Sequence, residues 1–230
     1  MKRCMLLAII ATVMSVSNVV VAQSDSTSVN NNATKETPSF TLSGNIQTGT
    51  GYASLFGLKT SDKWSVFYSV DVQHKSGFGL GGYRMTDFQT EGLGRIAFFD
   101  LYWSVSLTKN LSLYAAMEYG FFDNNDQMSF YCPYIMVFWS NPVVNVDVSP
   151  MYCYYDRLKS DEITIRLRAT KSLWKNGEVQ LSGWYDNVLQ KKLYGSVGIT
   201  QQLPKNFYLQ GDLLFRQGKT EPLLVLGCKF

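Results

Sequence analysis

From Phe40 to the last residue, apolar and polar side chains alternate along the chain with a period of two. In WSVFYSVDVQ (64–73), one parity carries tryptophan, tyrosine and valine, and the other is rich in serine, aspartate and glutamine. LSLYAAMEYG (111–120) and EITIRLRAT (162–170) repeat the pattern. Such alternation is typical of β-strands with one apolar face, and no segment has the period of an amphipathic helix.

Turn signals divide this alternating region at regular intervals. The short ones are KSG (75–77), TKN (108–110), SNP (140–142), KNG (175–177) and PKN (204–206). Longer polar segments lie between them, so each interval holds two strands. The breaks predict twelve strands, at residues 40–57, 64–74, 78–88, 95–107, 111–121, 128–139, 143–154, 162–173, 178–187, 192–203, 207–216 and 222–230.

The last segment favours closure of these strands into a barrel. TEPLLVLGCKF (220–230) alternates and stops at an aromatic residue without a polar tail. An unpaired apolar edge invites aggregation, whereas pairing the last strand with the first removes both edges. An even number of strands of about ten residues, with short turns at one end and longer loops at the other, is the pattern of a transmembrane β-barrel. The predicted fold class is therefore all-β, a transmembrane antiparallel up-and-down β-barrel over residues 40–230.

Aromatic residues predict the two girdles that a barrel in a membrane requires. One group falls near the short turns, and it comprises Trp139, Trp174, Phe207 and Phe230. The other falls near the opposite end, and it comprises Tyr52, Tyr119, Phe121, Tyr152, Tyr154 and Tyr185. A secreted sandwich or a soluble closed barrel also alternates and is the alternative fold.

Residues 1–22 have the pattern of a cleaved signal peptide. Lys2 and Arg3 precede the apolar run CMLLAIIATVM, and small residues stand before a cleavage site at Gln23. An uncleaved membrane anchor is the alternative. Residues 23–39 are polar and rich in serine, threonine and asparagine, so they are predicted to be a disordered lead-in to the barrel.

Composition narrows the classes of function. Charged residues make up 17% of the chain and the formal net charge is +3, which does not indicate a nucleic-acid partner. A single histidine, His74, does not indicate a metal site, and no cofactor is predicted. Once Cys4 is removed with the signal peptide, Cys132, Cys153 and Cys228 remain. This odd number predicts buried free thiols rather than a disulfide framework.

The stretch LLVLGCKF (223–230) resembles the C-terminal signal of bacterial outer-membrane β-barrel proteins. The resemblance implies localisation in the bacterial outer membrane, contact with outer-membrane lipid, and recognition of Phe230 by the barrel-assembly machinery. Chain length and strand number are also similar to those of the small monomeric outer-membrane channels for acidic oligosaccharides and nucleosides, and of the outer-membrane phospholipase. No motif selects one subfamily.

The polar face of the strands should line the barrel interior. Its charged candidates are Asp71, Asp100, Glu118, Asp147, Arg166, Arg168, Asp212 and Arg216. They predict a selectivity lining in a narrow passive pore for small polar solutes, with an acidic and a basic wall that orient dipolar or zwitterionic solutes. The alternative is a salt-bridge network that stiffens a structural or binding barrel with a closed lumen.

The turn TKN predicts one specific pair in this lining. If Leu107 pairs with Leu111, Asp100 and Glu118 face each other across two neighbouring strands. Like charges in that position are destabilising. The two carboxyl groups should therefore share a proton or hold a cation between them. Arg166 or Arg168 is the internal cation expected to balance the pair. The alternative, in which the pair has a functional role, is that it binds a metal ion or a substrate amine.

His74 and Ser76 form the candidate catalytic pair, because side chains at i and i+2 face one side of a strand. The pair resembles that of outer-membrane phospholipases and lipid A deacylases, with histidine as base and serine as nucleophile. Gly77 stands where those enzymes have asparagine, and the pair falls in a predicted periplasmic turn rather than in the outer leaflet. The chain is therefore predicted not to be an enzyme, and lipid hydrolysis is the third alternative.

Overall fold

The computed structural model describes residues 39–50, 52–53, 59–61, 63–87, 95–122, 129–187, 193–216 and 218–230. The predicted signal peptide, and the lead-in up to residue 38, lie outside this range. The described residues form only strands and turns. No helix among them is long and apolar enough to cross a membrane.

Twelve of the strands form one closed antiparallel barrel, which confirms the predicted fold class and strand number. The barrel strands are β1 (Phe40–Gly49), β4 (Ser65–His74), β5 (Phe78–Thr86), β6 (Arg95–Thr108), β7 (Leu111–Phe122), β8 (Ser129–Ser140), β9 (Asn145–Tyr155), β10 (Ser160–Trp174), β11 (Gly177–Asp186), β12 (Leu193–Gln202), β13 (Phe207–Arg216) and β14 (Lys219–Lys229). Two further short strands, β2 (Tyr52–Ala53) and β3 (Lys59–Ser61), pair with each other outside the barrel.

The barrel closes where the first strand meets the last. β1 pairs with β4 over ten residue pairs and with β14 over five. Beyond the five pairs, Gly44 N–H donates to the Phe230 carbonyl at 2.8 Å and Phe230 N–H donates to the Gly44 carbonyl at 3.0 Å. The predicted pairing of the last strand with the first is therefore confirmed.

Two predicted boundaries are wrong at the end of the barrel opposite the short turns. The strand predicted over 40–57 leaves the barrel after Gly49, and the two short strands that follow, β2 and β3, pair with each other instead. The last strand begins at Lys219 rather than at 222. Arg216 pairs directly with Lys219, and Gly218 has a positive φ of 75°, so a segment predicted as a polar loop is a tight turn.

The outer wall of the barrel carries a belt of exposed apolar side chains. Leu42, Leu80, Leu101 and Leu181 are each at least 59% exposed. Exposed Trp139 and Trp174 lie near the short turns, and exposed Tyr119, Tyr152 and Tyr185 lie nearer the other end, in the order predicted for two girdles. A belt of this extent is unstable in water and fits the hydrocarbon of a membrane, where a closed barrel leaves no backbone group unpaired.

The prediction of free thiols is wrong for two of the cysteines. Cys132 on β8 and Cys153 on β9 form a disulfide, with their Cα atoms 4.2 Å apart. The register of the β8–β9 ladder places the two residues directly opposite each other, and both face the interior. The third cysteine, Cys228, lies on the outward parity of β14 and is a buried free thiol, as predicted.

We expect Phe230→Asp to impair barrel assembly. The Phe230 ring covers Gly44 at the seam, where a Cβ atom on Gly44 would collide with it. A carboxylate there loses this packing and sets a charge on the lipid-facing side of the closing strand, at a cost of up to about 1 kcal/mol near the membrane interface. The measurement is heat-modifiable migration of the protein from isolated outer membranes. Phe230→Tyr is the control and should assemble, and normal migration of Phe230→Asp would contradict the role given to the last residue.

Candidate functional site in the barrel lumen

The candidate site is the barrel lumen, because the strand register places all eight predicted charged residues on the interior parity. They lie on β4, β6, β7, β9, β10 and β13. Ser149 on β9 and Ser182 on β11, the cross-strand partners of Arg166 and Arg168, are likewise buried. The structure divides the eight residues among five separate groups rather than an acidic and a basic wall.

The first group is an ion cluster built on Asp147. Arg166 Nη2 lies 2.6 Å from one carboxylate oxygen of Asp147, and Arg168 Nε lies 2.6 Å from the other. Arg166 also donates to Ser149 Oγ at 3.2 Å, and its side chain is 2% exposed. Asp147, predicted to belong to an acidic wall, instead pairs with the arginines of the neighbouring strand.

The second group is the predicted carboxylate pair. Asp100 and Glu118 face each other on β6 and β7 as predicted, although a bulge near the turn pairs Thr108 rather than Leu107 with Leu111. The Tyr134 hydroxyl donates to Asp100 Oδ2 at 2.9 Å. Arg166 and Arg168, the two arginines expected to balance this pair, both form ion pairs with Asp147.

Aromatic rings surround the carboxylates on this side of the lumen. Tyr102 stacks on Tyr114 with ring centroids 4.9 Å apart, and Tyr114 stacks on Tyr134 at 5.9 Å. Tyr83 stacks on Phe98 at 4.9 Å. We call these five residues the aromatic wall. Asp71 accepts a hydrogen bond of 2.9 Å from the Tyr83 hydroxyl, so its only partner in the described part of the chain is neutral.

An apolar cluster continues the aromatic wall toward the end opposite the short turns. Its buried members are Met85, Ile96, Phe122, Phe130, Cys132, Tyr134, Met136, Met151, Cys153 and Tyr155. These side chains fill the space between β5 and β9, as in smaller barrels whose interior is packed. The open part of the lumen therefore lies along the other side.

A cavity of about 220 Å³ lies on that other side, lined by residues of β1 and of β10–β14. Most of its lining is polar, and it includes Gln47, Arg168, Gln180, Ser182, Gln210 and Asp212. Gln180 Nε2 donates to Asp212 Oδ1 at 2.8 Å, and Gln210 Nε2 donates to Asp212 Oδ2 at 2.6 Å. Asp212 thus has two neutral amide partners and no ion pair among the described residues.

The remaining predicted residue, Arg216, lies at the end of β13 opposite the short turns and forms an ion pair with Glu221 at 3.3 Å. Both side chains are about one-fifth exposed. An ion pair with this exposure contributes little to stability and holds β13 against β14. It does not reach the cavity lining.

Several lumen residues were not singled out from the sequence, among them Trp184 and Tyr208. Trp184 lines the cavity and stacks on Tyr194, with centroids 5.5 Å apart. The Tyr208 hydroxyl lies 2.8 Å from Gln47 Oε1 and so connects β13 to β1 across β14. Trp184 has the same parity as Gln180 and Ser182, so the alternation along β11 could have assigned it to the lumen. The Tyr208 contact requires barrel closure, which no local pattern specifies.

His74 and Ser76 lie at the short-turn end, as predicted. His74 Nδ1 and Ser76 Oγ are 2.8 Å apart, and the Ser76 backbone N–H donates to the same nitrogen at 3.3 Å. The imidazole packs against Phe40, with ring centroids 4.9 Å apart. In the part of the chain described, no carboxylate contacts the ring to orient it. Among the same described residues there is no group of three or more His, Cys, Asp or Glu side chains that could hold a metal ion.

We expect Asp147→Asn to lower the free energy of unfolding by about 3 kcal/mol, because it removes the charge of a carboxylate that two guanidinium groups share in a buried position. Asp212→Asn is the matched control. Its carboxylate contacts only neutral amides, so its loss should cost less than about 1 kcal/mol. Denaturant titration of the folded barrel in detergent micelles measures both. Equal losses in the two variants would contradict a stabilising role for the Asp147 cluster.

The comparisons with known proteins agree with this architecture. No protein-family model matches the chain, and no curated protein sequence matches it. Among solved structures, the chain is similar to the KdgM porin in complex with disordered oligogalacturonate, at a TM-score of 0.59 and 10% identity, covering 82% of this chain and 97% of that one. It is also similar to the NanC porin, at a TM-score of 0.55 and 13% identity, covering 81% and 98%. The predicted resemblance to small outer-membrane channels is thus confirmed at the level of the fold: the chain folds as a twelve-stranded porin-like barrel.

Proposed function

We propose that this protein is a passive pore for small polar solutes in the bacterial outer membrane. The observation that carries the proposal is the polar cavity between β1 and β10–β14, enclosed by a barrel whose outer wall is apolar. A barrel that served only as a structural element has no need for a cavity lined by amides and charges. The fold shared with the KdgM and NanC porins supports the same function.

The charge of the lumen argues against a polyanionic solute. Oligogalacturonate, the compound bound in the KdgM complex, carries many carboxylates. In the described residues of this chain, four lumen carboxylates form no ion pair, and they are Asp71, Asp100, Glu118 and Asp212. Their field in a narrow, partly dehydrated lumen repels anions and attracts cations. We therefore propose that the pore favours cationic, zwitterionic or neutral solutes.

One observation favours a closed barrel instead. The aromatic wall and the apolar cluster fill the space between β5 and β9, and side chains of this kind pack rather than conduct. The two functions differ in whether the remaining side of the lumen passes ions. The cavity on that side favours the pore.

The first test is single-channel conductance of the refolded full chain in planar bilayers. Steady current steps, with a reversal potential in a salt gradient that shows cation preference, are expected for the pore. A bilayer that stays silent despite verified insertion of folded protein would support the closed barrel.

The carboxylate pair provides the second measurement. We expect Asp100→Asn combined with Glu118→Gln to lower the cation preference, because the negative charge that the pair carries leaves the lumen. Stability should be unchanged or rise by up to about 1 kcal/mol, because the repulsion between the opposed carboxyl groups is removed. Asp156→Asn, in the turn between β9 and β10, is the control and should leave selectivity unchanged. Unchanged selectivity in the double variant would reduce the pair to lumen filling.

The hydrogen bond between His74 and Ser76 justifies a direct test of lipid hydrolysis. The serine hydroxyl and backbone N–H both contact His74 Nδ1, an arrangement that caps the turn after β4. We therefore expect His74→Ala and Ser76→Ala to retain conductance. Phospholipid and lipid A hydrolysis are assayed with the wild-type protein in the same vesicles. Hydrolysis that is lost in both variants would overturn the pore proposal in favour of an enzyme.

A further inference from the structure

The cavity presents opposite charges at two sides. Arg168 lies at one side, and its side chain is 30% exposed. Its Nε atom contacts Asp147, a carboxylate that Arg166 shares, and its two terminal nitrogens form no hydrogen bond within the described residues. Arg168 therefore has donors available for an anionic group in the cavity.

Asp212 lies at the other side, and its position depends on a glycine. A Cβ atom on Gly198 of β12 would collide with Asp212 Oδ1, so the carboxylate extends from β13 over β12. There it accepts hydrogen bonds from Gln180 and Gln210, which hold it in place but do not neutralise its charge. A buried or half-buried carboxylate without a cation is costly, and a ligand ammonium group would relieve that cost.

These two charges line one cavity of about 220 Å³. Arg168 belongs to β10, and Asp212 reaches over Gly198 on β12, so the strands that present the two charges are two spacings, roughly 10 Å, apart. A ligand that contacts both charges through charge-assisted hydrogen bonds must be a short molecule with a charged group at each end. Ser182 and Ser196 lie between the two charges, and Trp184 contributes an apolar wall.

We propose that this cavity is a binding subsite for a small zwitterion, with the ligand carboxylate on Arg168 and the ligand ammonium on Asp212. This subsite would make small zwitterions the solute class of the proposed pore. The inference rests on the pore function, because the ligand reaches the subsite through the lumen. Asp212 would repel a polyanion in this cavity, and Arg168 would repel a simple cation. A zwitterion has a charge of opposite sign for each of the two residues and is therefore favoured over both.

The test uses four probes with three carbon atoms each: 3-aminopropanoate, propanoate, propylamine and 3-hydroxypropanamide. Binding to the detergent-refolded full chain is measured by calorimetry, and conductance of the same preparation is measured in bilayers. The wild-type protein is expected to bind 3-aminopropanoate at least about fivefold more tightly than the other three probes, since each charge-assisted hydrogen bond is worth a factor of this order.

The two charges are then removed one at a time. Asp212→Asn should weaken binding of 3-aminopropanoate about fivefold or more and leave propanoate unchanged, while Arg168→Gln should weaken both and leave propylamine unchanged. Asp71→Asn, which removes a lumen carboxylate on the other wall, is the matched control and should bind like the wild type. Equal affinity of all four probes, or equal losses in Asp71→Asn and Asp212→Asn, would overturn the subsite.

The two measurements separate this inference from the proposed pore. Conductance without charge-matched binding would leave the pore in place and reject the subsite. Charge-matched binding in a protein that does not conduct would retain the subsite and reject the pore. Variants that fold are recognised by heat-modifiable migration before either measurement.

Discussion

Pairing of backbone groups inside hydrocarbon is the constraint on which the whole structure depends. A strand in a membrane cannot leave a row of N–H and C=O groups open to lipid, so the sheet must close on itself. β1 therefore hydrogen-bonds to β4 on one side and to β14 on the other. Closure also gives every barrel strand one face toward lipid and one toward the lumen. The period of two along the chain then decides the chemistry of both faces.

The two sides of the lumen differ in what fills them. Between β5 and β9, stacked tyrosines and apolar side chains occupy the interior, and tyrosine hydroxyls donate hydrogen bonds to Asp71 on β4 and to Asp100 on β6. Along β10–β14, shorter polar side chains and Gly198 leave space. A barrel of this diameter can thus be packed on one side and hydrated on the other, and the position of the large aromatic residues determines which side remains open.

The accuracy of the predictions from sequence depends on how clearly the sequence marks the turn between two strands. Asp100 and Glu118 were placed opposite each other because a tight turn joins their strands and leaves little freedom of register. The turn between β8 and β9 would have placed Cys132 opposite Cys153 by the same reasoning, but the odd number of cysteines argued against a bond. Arg168 meets Asp147 across the polar segment after β9, which lacks a clear turn signal in the sequence, so several registers are compatible with the alternation there.

Contacts that cross the closure could not be predicted from local patterns at all. Gln47 and Asp212 line one cavity because the two ends of the chain are joined, and their strands are far apart in sequence. The alternation assigned Asp212 to the interior without specifying which residues of β1 lie near it. Prediction of the site therefore required knowledge of the closed sheet, whereas prediction of the fold did not.

The seam between β1 and β14 is held by half as many residue pairs as the seam between β1 and β4, five against ten. Each pair contributes backbone hydrogen bonds, so the two sides of the same strand resist separation unequally. The Tyr208 hydroxyl on Gln47 and the Phe230 contacts with Gly44 add to the weaker side. When the barrel is heated or pulled, β1 should detach from β14 before it detaches from β4, and the cylinder should open into a curved sheet whose hairpins remain intact.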